Sequence, residues 1–118
     1  MKDLSESHYV TIEFTIPETH ADQMREAIGK AGAGNYGNYS FCTFSTKGIG
    51  RFLPKQNAHP FLGKPDILET VIEEKITTCC HKKILSEVLE IIKQTHPYEE
   101  TMIDIYPTYK IGYKKFID

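Results

Sequence analysis

The 118-residue sequence has little of what most binding and catalytic classes require. Its charge is nearly balanced, 14 basic against 16 acidic side chains for a formal net charge of -2, so no overall field draws in nucleic acid or an anionic membrane surface. Its small basic groups, Lys82 with Lys83 and Lys110 with Lys114 and Lys115, read as solvated surface. No stretch approaches the roughly 18 apolar residues of a membrane span, and Met1-Lys2-Asp3-Leu4-Ser5-Glu6 lacks the apolar run of a secretory signal. These absences predict a cytoplasmic protein without membrane or nucleic-acid partners. The three cysteines, Cys42, Cys79 and Cys80, are an odd count without C-x-x-C spacing, which argues against a disulfide framework or a zinc knuckle and predicts free, mostly buried thiols. Among His8, His20, His59, His81 and His96 no pair has H-x-x-x-H spacing, so no single element signals a metal site. Asn38-Tyr39-Ser40 matches a glycosylation acceptor, a match without weight in a chain with no route to the secretory pathway.

What is present, 40% apolar and 25% charged residues, suits one compact domain over 1–118. From His8 to Ile16, Val10, Ile12, Phe14 and Ile16 alternate with Tyr9, Thr11, Glu13 and Thr15, a strand with one buried face. Thr19 and Asp22 resemble a helix N-cap box, and Ala21, Met24, Ile28 and Ala31 form the apolar stripe of the helix that follows. Gly32 and Gly34 offer it a left-handed exit. A second strand is expected from Tyr39 to about Phe52, bulged or bent at Gly48 and Gly50. An irregular loop with three prolines runs from Leu53 to Asp66, and a third strand starts near Ile67. On that strand Leu68, Ile72 and Ile76 lie opposite Glu69, Val71, Glu73 and Lys75, a mixed pattern that fits a sheet partly covered by another subunit. Ile84, Leu85, Val88, Leu89 and Ile92 give a second helix over Lys82–Thr95, stopped by His96-Pro97. A short strand, Met102–Tyr106, should end at Pro107. The order β-α-β-β-α-β predicts an α+β, ferredoxin-like sandwich: one antiparallel sheet with two helices on one face. The uncovered face, carrying Tyr, Thr, Val and Cys, is a candidate for burial against copies of the chain.

Gly32-Ala33-Gly34-Asn35-Tyr36-Gly37 satisfies G-x-G-x-x-G, yet these glycines close a helix and open a strand, the reverse of the order that places a helix N-terminus on a pyrophosphate. Their plainer reading is a turn that needs positive φ. His96-Pro97-Tyr98-Glu99-Glu100 puts an imidazole beside two carboxylates, a set able to hold a divalent ion or accept a proton, although a histidine at a helix C-terminus also interacts simply with the last carbonyls. His59 sits in the proline-rich loop. Ser40 and Cys42 are nameable nucleophiles with no base implied nearby; Cys42 reads more simply as a small core residue.

Several ordered motifs carry a family resemblance: Gly32-Ala33-Gly34 through Gly37-Asn38-Tyr39-Ser40, Cys42 and Phe44; Gly48, Gly50, Phe52 and Pro54; Ala58, Pro60-Phe61 and Gly63; Glu69, Val71 and Glu73; and His96-Pro97-Tyr98-Glu99-Glu100 with Asp104-Ile105-Tyr106-Pro107. Together they resemble the inserted middle domain of the YqfO, or Nif-three-like, proteins, as a stand-alone version. That domain is similar in fold to the CutA and PII signalling proteins, which implies a trimeric homo-oligomer. The dinuclear metal centre of full-length members lies in flanking halves, so its ligands have no counterpart here. Lys64-Pro65-Asp66 stands where a second glycine is usual, Lys75 where arginine is common, and Thr101 where proline is expected.

The resulting expectation is a non-enzymatic, oligomeric binding or regulatory domain that receives a small molecule or metal ion between subunits. Its candidate ligand-binding residues are Asn38, Tyr39, Ser40, His59, His96, Tyr98, Glu99 and Glu100. One alternative is a CutA-like handler of divalent copper or zinc, with His96 and Glu99, or the Cys79-Cys80 pair, as metal ligands. The other is a hydrolase of unstated substrate.

Overall fold

A computed structural model describes residues 4–110; Lys114 and Lys115 of the expected basic surface lie outside the described residues. The chain runs β1 (Ser5–Pro17), α1 (Glu18–Lys30), β2 (Thr43–Phe52), β3 (Glu69–His81), a single 3-10 turn (Lys82–Ile84), α2 (Leu85–Thr95) and β4 (Ile103–Lys110). The strands pair antiparallel in the order β2-β3-β1-β4. Successive strand residues face opposite sides, so Val10, Ile12, Phe14 and Ile16 of β1 share one face with Ile76 and Cys80 of β3. Ala21, Met24 and Ile28 of α1 and Val88 and Ile92 of α2 close over that face, and all of these residues are buried. The architecture is the expected α+β sandwich.

Several boundaries differ from expectation, each for a local reason. β1 pairs through Pro17 with Glu73 and passes directly into α1, so Pro17 occupies the N-cap and the Thr19–Asp22 box does not form. Thr19 Oγ1 instead meets His20 Nδ1 at 2.8 Å, and Asp22 accepts from Arg25. β2 begins at Thr43 rather than Tyr39, because Tyr36 and Tyr39 bond to each other across a two-residue turn at Gly37-Asn38. Phe41 then takes a left-handed φ of 60°, a conformation that costs about 1 to 2 kcal/mol. Its ring lies on Gly29, where any added Cβ would collide with it. The β2–β3 register runs unbroken past Gly48 and Gly50, so neither glycine marks a bulge. Pro107 does not end β4: that strand is a sheet edge, where a missing N–H is tolerated, and Pro107 pairs with Val10. The register shift lies instead between Glu6 and Val10, on the β1 side of that pairing.

Candidate functional site

The candidate residues fall into two groups at opposite ends of the sheet. One end is marked by the row Tyr9–His81 and the other by Pro17–Glu73, eight β3 residues apart and therefore about 26 Å. Asn38, Tyr39 and Ser40 lie at the first end in the exposed Tyr36–Tyr39 turn. The Tyr9 ring packs edge-on against both Tyr36 and His81 there, and His81 stacks on His8. His59, His96, Tyr98 and Glu99 lie at the second end. Within one subunit the two groups do not converge.

The second end is built around a chain of partly buried polar contacts. His96 accepts a hydrogen bond from the Tyr98 backbone N–H at Nδ1, 3.2 Å, and its Nε2 lies 2.7 Å from the Thr15 carbonyl oxygen, which fixes the neutral tautomer with the proton on Nε2. Burial holds the His96 pKa below the ordinary histidine value, against the opposing pull of the Thr15 carbonyl and of Glu73. Tyr98 Oη donates to Glu73 Oε2 at 2.7 Å, while burial, followed by this carboxylate, pushes the phenol's pKa up. Phe52 and His96 flank the Tyr98 ring at 5.9 and 4.9 Å. The Glu99 carboxylate accepts the His59 backbone N–H at 3.0 Å, tying the long loop to the turn after α2. Glu100 is exposed.

The residues do not fit a metal ion. Both ring nitrogens of His96 are already committed, and among the described residues no group of three or more His, Cys, Asp or Glu side chains converges. Cys79 and Cys80 are successive strand residues that face opposite sides of the sheet, so they cannot grip one ion together. Burial raises both thiol pKa values, that of Cys80 to about 11. Cys42, expected in the core, is exposed, because β2 starts after it and the chain there follows the turn rather than the sheet. The Thr19–His20 contact joins a hydroxyl to an imidazole, but it is solvent-exposed.

Two residues of this end were missed in the sequence. Glu73 belongs to the mixed, open face of β3, yet it is 8% exposed because the chain after α2 brings Tyr98 onto it. His20 packs edge-on with Phe61 of the long loop at 5.2 Å and lies close enough to His96 to oppose its protonation. Glu73 stands in the Glu69-x-Val71-x-Glu73 motif and His20 in none, yet neither placement is a local signal, since both depend on contacts between distant parts of the chain.

No family model matches the chain. Curated relatives named GTP cyclohydrolase 1 type 2 homolog do: the one from Halalkalibacterium halodurans is 48% identical over 103 residues, 87% of this chain and 27% of that protein, and the one from Bacillus subtilis is 44% identical over 92 residues, 78% and 25%. Among solved structures, a Bacillus cereus protein related to NIF3 superposes with a TM-score of 0.73 at 37% identity, covering 89% of this chain and 26% of that one. CutA from Synechococcus elongatus aligns over 92% of this chain and 86% of its own, with a TM-score of 0.63 at 15% identity. A Bacillus subtilis GlnK–ATP complex gives 0.58 at 15% identity, over 88% and 85%. The last two share the fold alone. The chain spans about a quarter of the length of the relatives it matches, and over that span it belongs to the YqfO/NIF3 family, whose curated members carry the name GTP cyclohydrolase 1 type 2 homolog.

Proposed function

We propose that residues 1–118 form one binding or regulatory domain of the PII and CutA type, assembled as a homotrimer, that receives a small molecule in the clefts between subunits. The observation that carries this reading is the separation of the candidate residues. Asn38, Tyr39 and Ser40 at one end and His59, Tyr98, Glu99 and Glu100 at the other can meet around one ligand only if a second copy supplies one of the groups. Both sheet edges offer apolar surface for such assembly, Phe44 and Ile49 on β2 and Ile105, Tyr106 and Tyr109 on β4. A β2 edge meeting the next copy's β4 edge is a head-to-tail contact, the kind that closes into a ring.

The donor set does not fit the divalent-metal alternative. The hydrolase alternative rests on the relatives' name, of whose length this chain is about a quarter. The described helices include none long and apolar enough to cross a membrane, which accords with the cytoplasmic placement we propose.

Sedimentation equilibrium tests the assembly, with three copies expected. Calorimetry of that species, with nucleotides as the first probes because a fold neighbour is an ATP complex, tests the clefts. Tyr39→Ala and Tyr98→Phe are each expected to weaken binding at least fivefold. A monomer at micromolar concentration would overturn the assembly, and a trimer that binds none of the ligands screened would count against a sensing role.

A further inference from the structure

β3 carries two buried carboxylates side by side, Glu73 at 8% and Glu74 at 9% exposure, on opposite faces of the sheet. Glu74 is completed by its own chain: Arg25 Nη1 donates to it at 2.6 Å, and Arg25 also reaches Ser45 and Asp22. Glu73 is not. Tyr98 holds Oε2, and among the described residues no cation pairs with the carboxylate. A carboxylate taken out of water and left without a counter-charge is a costly arrangement, which a cationic group at Oε1 would relieve.

The space for such a group is present. Glu73 Oε1 lies where a side chain at residue 50 would begin, and only glycine there admits it. Gly48, opposite Glu73 in the register, has nothing within 4 Å of where its Cβ would stand. Gly48 and Glu73 line an open depression of about 210 Å³ that also takes in Thr15, Thr46, Lys47, Ile49 and Lys75, with the Lys47 ammonium already held by Glu18 at 2.9 Å. Glu73 therefore stands on one side, and an ammonium with two hydroxyls on the other. Lys75 is half exposed and its contact with Glu13 is long, 3.4 Å, which leaves it able to turn to a second anion.

We infer that this depression is a binding site for a small zwitterion, an α-amino acid. The ligand's ammonium donates to Glu73 Oε1, and its carboxylate faces Lys75 and the Thr15 and Thr46 hydroxyls. A simple cation would meet the charge of Lys75 and a simple anion that of Glu73, so the pairing of opposite signs sets the specificity. The inference deepens the binding reading proposed above and rests on it in one respect, that a neighbouring copy roofs the site.

The test is titration of the full chain with glycine, alanine and glutamate, with methylammonium and acetate as half-ligands, read by calorimetry and by melting temperature. At least one amino acid is expected to bind ten times more tightly than either half-ligand. Glu73→Gln keeps an acceptor for Tyr98 but is expected to weaken that binding tenfold or more. Gly48→Val fills the depression without touching the Glu73–Tyr98 bond, so its fold should persist while binding is lost. Binding unchanged in Gly48→Val, or a wild-type trimer that takes up none of the three amino acids, would overturn the inference. So would a Gly48→Val chain that loses its trimer when the wild type binds no amino acid, because the depression would then hold a neighbour's side chain. A monomer that still binds glycine or alanine would remove only the trimer.

Discussion

Ile76 and Ile72 lie on the same face of the same strand, about 13 Å apart, yet one is 0% and the other 58% exposed. The difference is what lies above them. α1 is anchored over the sheet by Arg25 to Glu74 and Ser45, and at its start by Glu18 to Lys47 at 2.9 Å. Beyond that row the β2–β3 pair runs on without a helix, and Ile49 faces Ile72 across it in the open. The chain's own helices thus complete only half of the long hairpin. Apolar residues that serve as core in the near half become surface in the far half, with no change in strand pattern to mark the transition.

The largest effect expected from this contrast is at the covered end. Ile12→Ala, from full burial under both helices, should cost about 3 kcal/mol, within the range for truncating a buried isoleucine. Ile72→Ala should change the subunit's own stability by about 0.5 kcal/mol or less. Urea denaturation at two protein concentrations measures both. Equal losses would break the comparison, whereas a loss at Ile72 that grows with concentration would sharpen it by placing a sister copy over the far half.

An intermediate effect is expected at the boundary itself. Arg25→Ala leaves Glu74 buried without its cation and should cost about 2 kcal/mol, much of it recovered when Glu74→Gln is added. Glu73→Gln on the opposite face removes a buried charge that has no protein cation and keeps an acceptor for Tyr98, so it should be neutral to slightly stabilising. A thermal melt of each variant makes the comparison, and similar losses for Arg25→Ala and Glu73→Gln would show that the two carboxylates are held alike.

The covered half was legible in the sequence because its signals are local and periodic. Val10 to Ile16 alternate over the second half of β1, and the spacing from Ile84 to Ile92 places α2 to within its 3-10 start. The errors came where one element's end depends on another's position. Pro107 stays in β4 only because that strand is an edge, and Thr19 loses its capping role only because β1 pairs through Pro17. At the site, the His96–Glu100 segment stood out by composition, but its use as an anchor did not. The partners of His96 and Tyr98, Thr15 and Glu73, are 81 and 25 residues away. Glu73 itself alternates like any surface glutamate, and its burial follows from Tyr98 and Gly50 rather than from its neighbours in the chain.

The smallest expected effect concerns how firmly the turn after α2 holds the open end closed. His96 is neutral in the fold, with Nε2–H donated to the Thr15 carbonyl and Nδ1 accepting from Tyr98, and burial keeps its folded pKa below the unfolded value of about 6.5. Below that value the unfolded chain binds the proton more readily than the folded one. The stability contributed by this burial is therefore fully present above about pH 6.5, declines as the pH falls below it, and levels off once the folded pKa is passed. Protonation would also place a donor on Nδ1 against the Tyr98 N–H. His96→Gln should lose about 1 kcal/mol at pH 7.5 through the altered hydrogen bonds, yet show a shallower decline between pH 6.5 and 5 than the parent chain. Parallel unfolding curves for the two across that window would mean that His96 does not set the acid sensitivity of this end, and that the turn is held by Tyr98 on Glu73 and Glu99 on the His59 backbone instead.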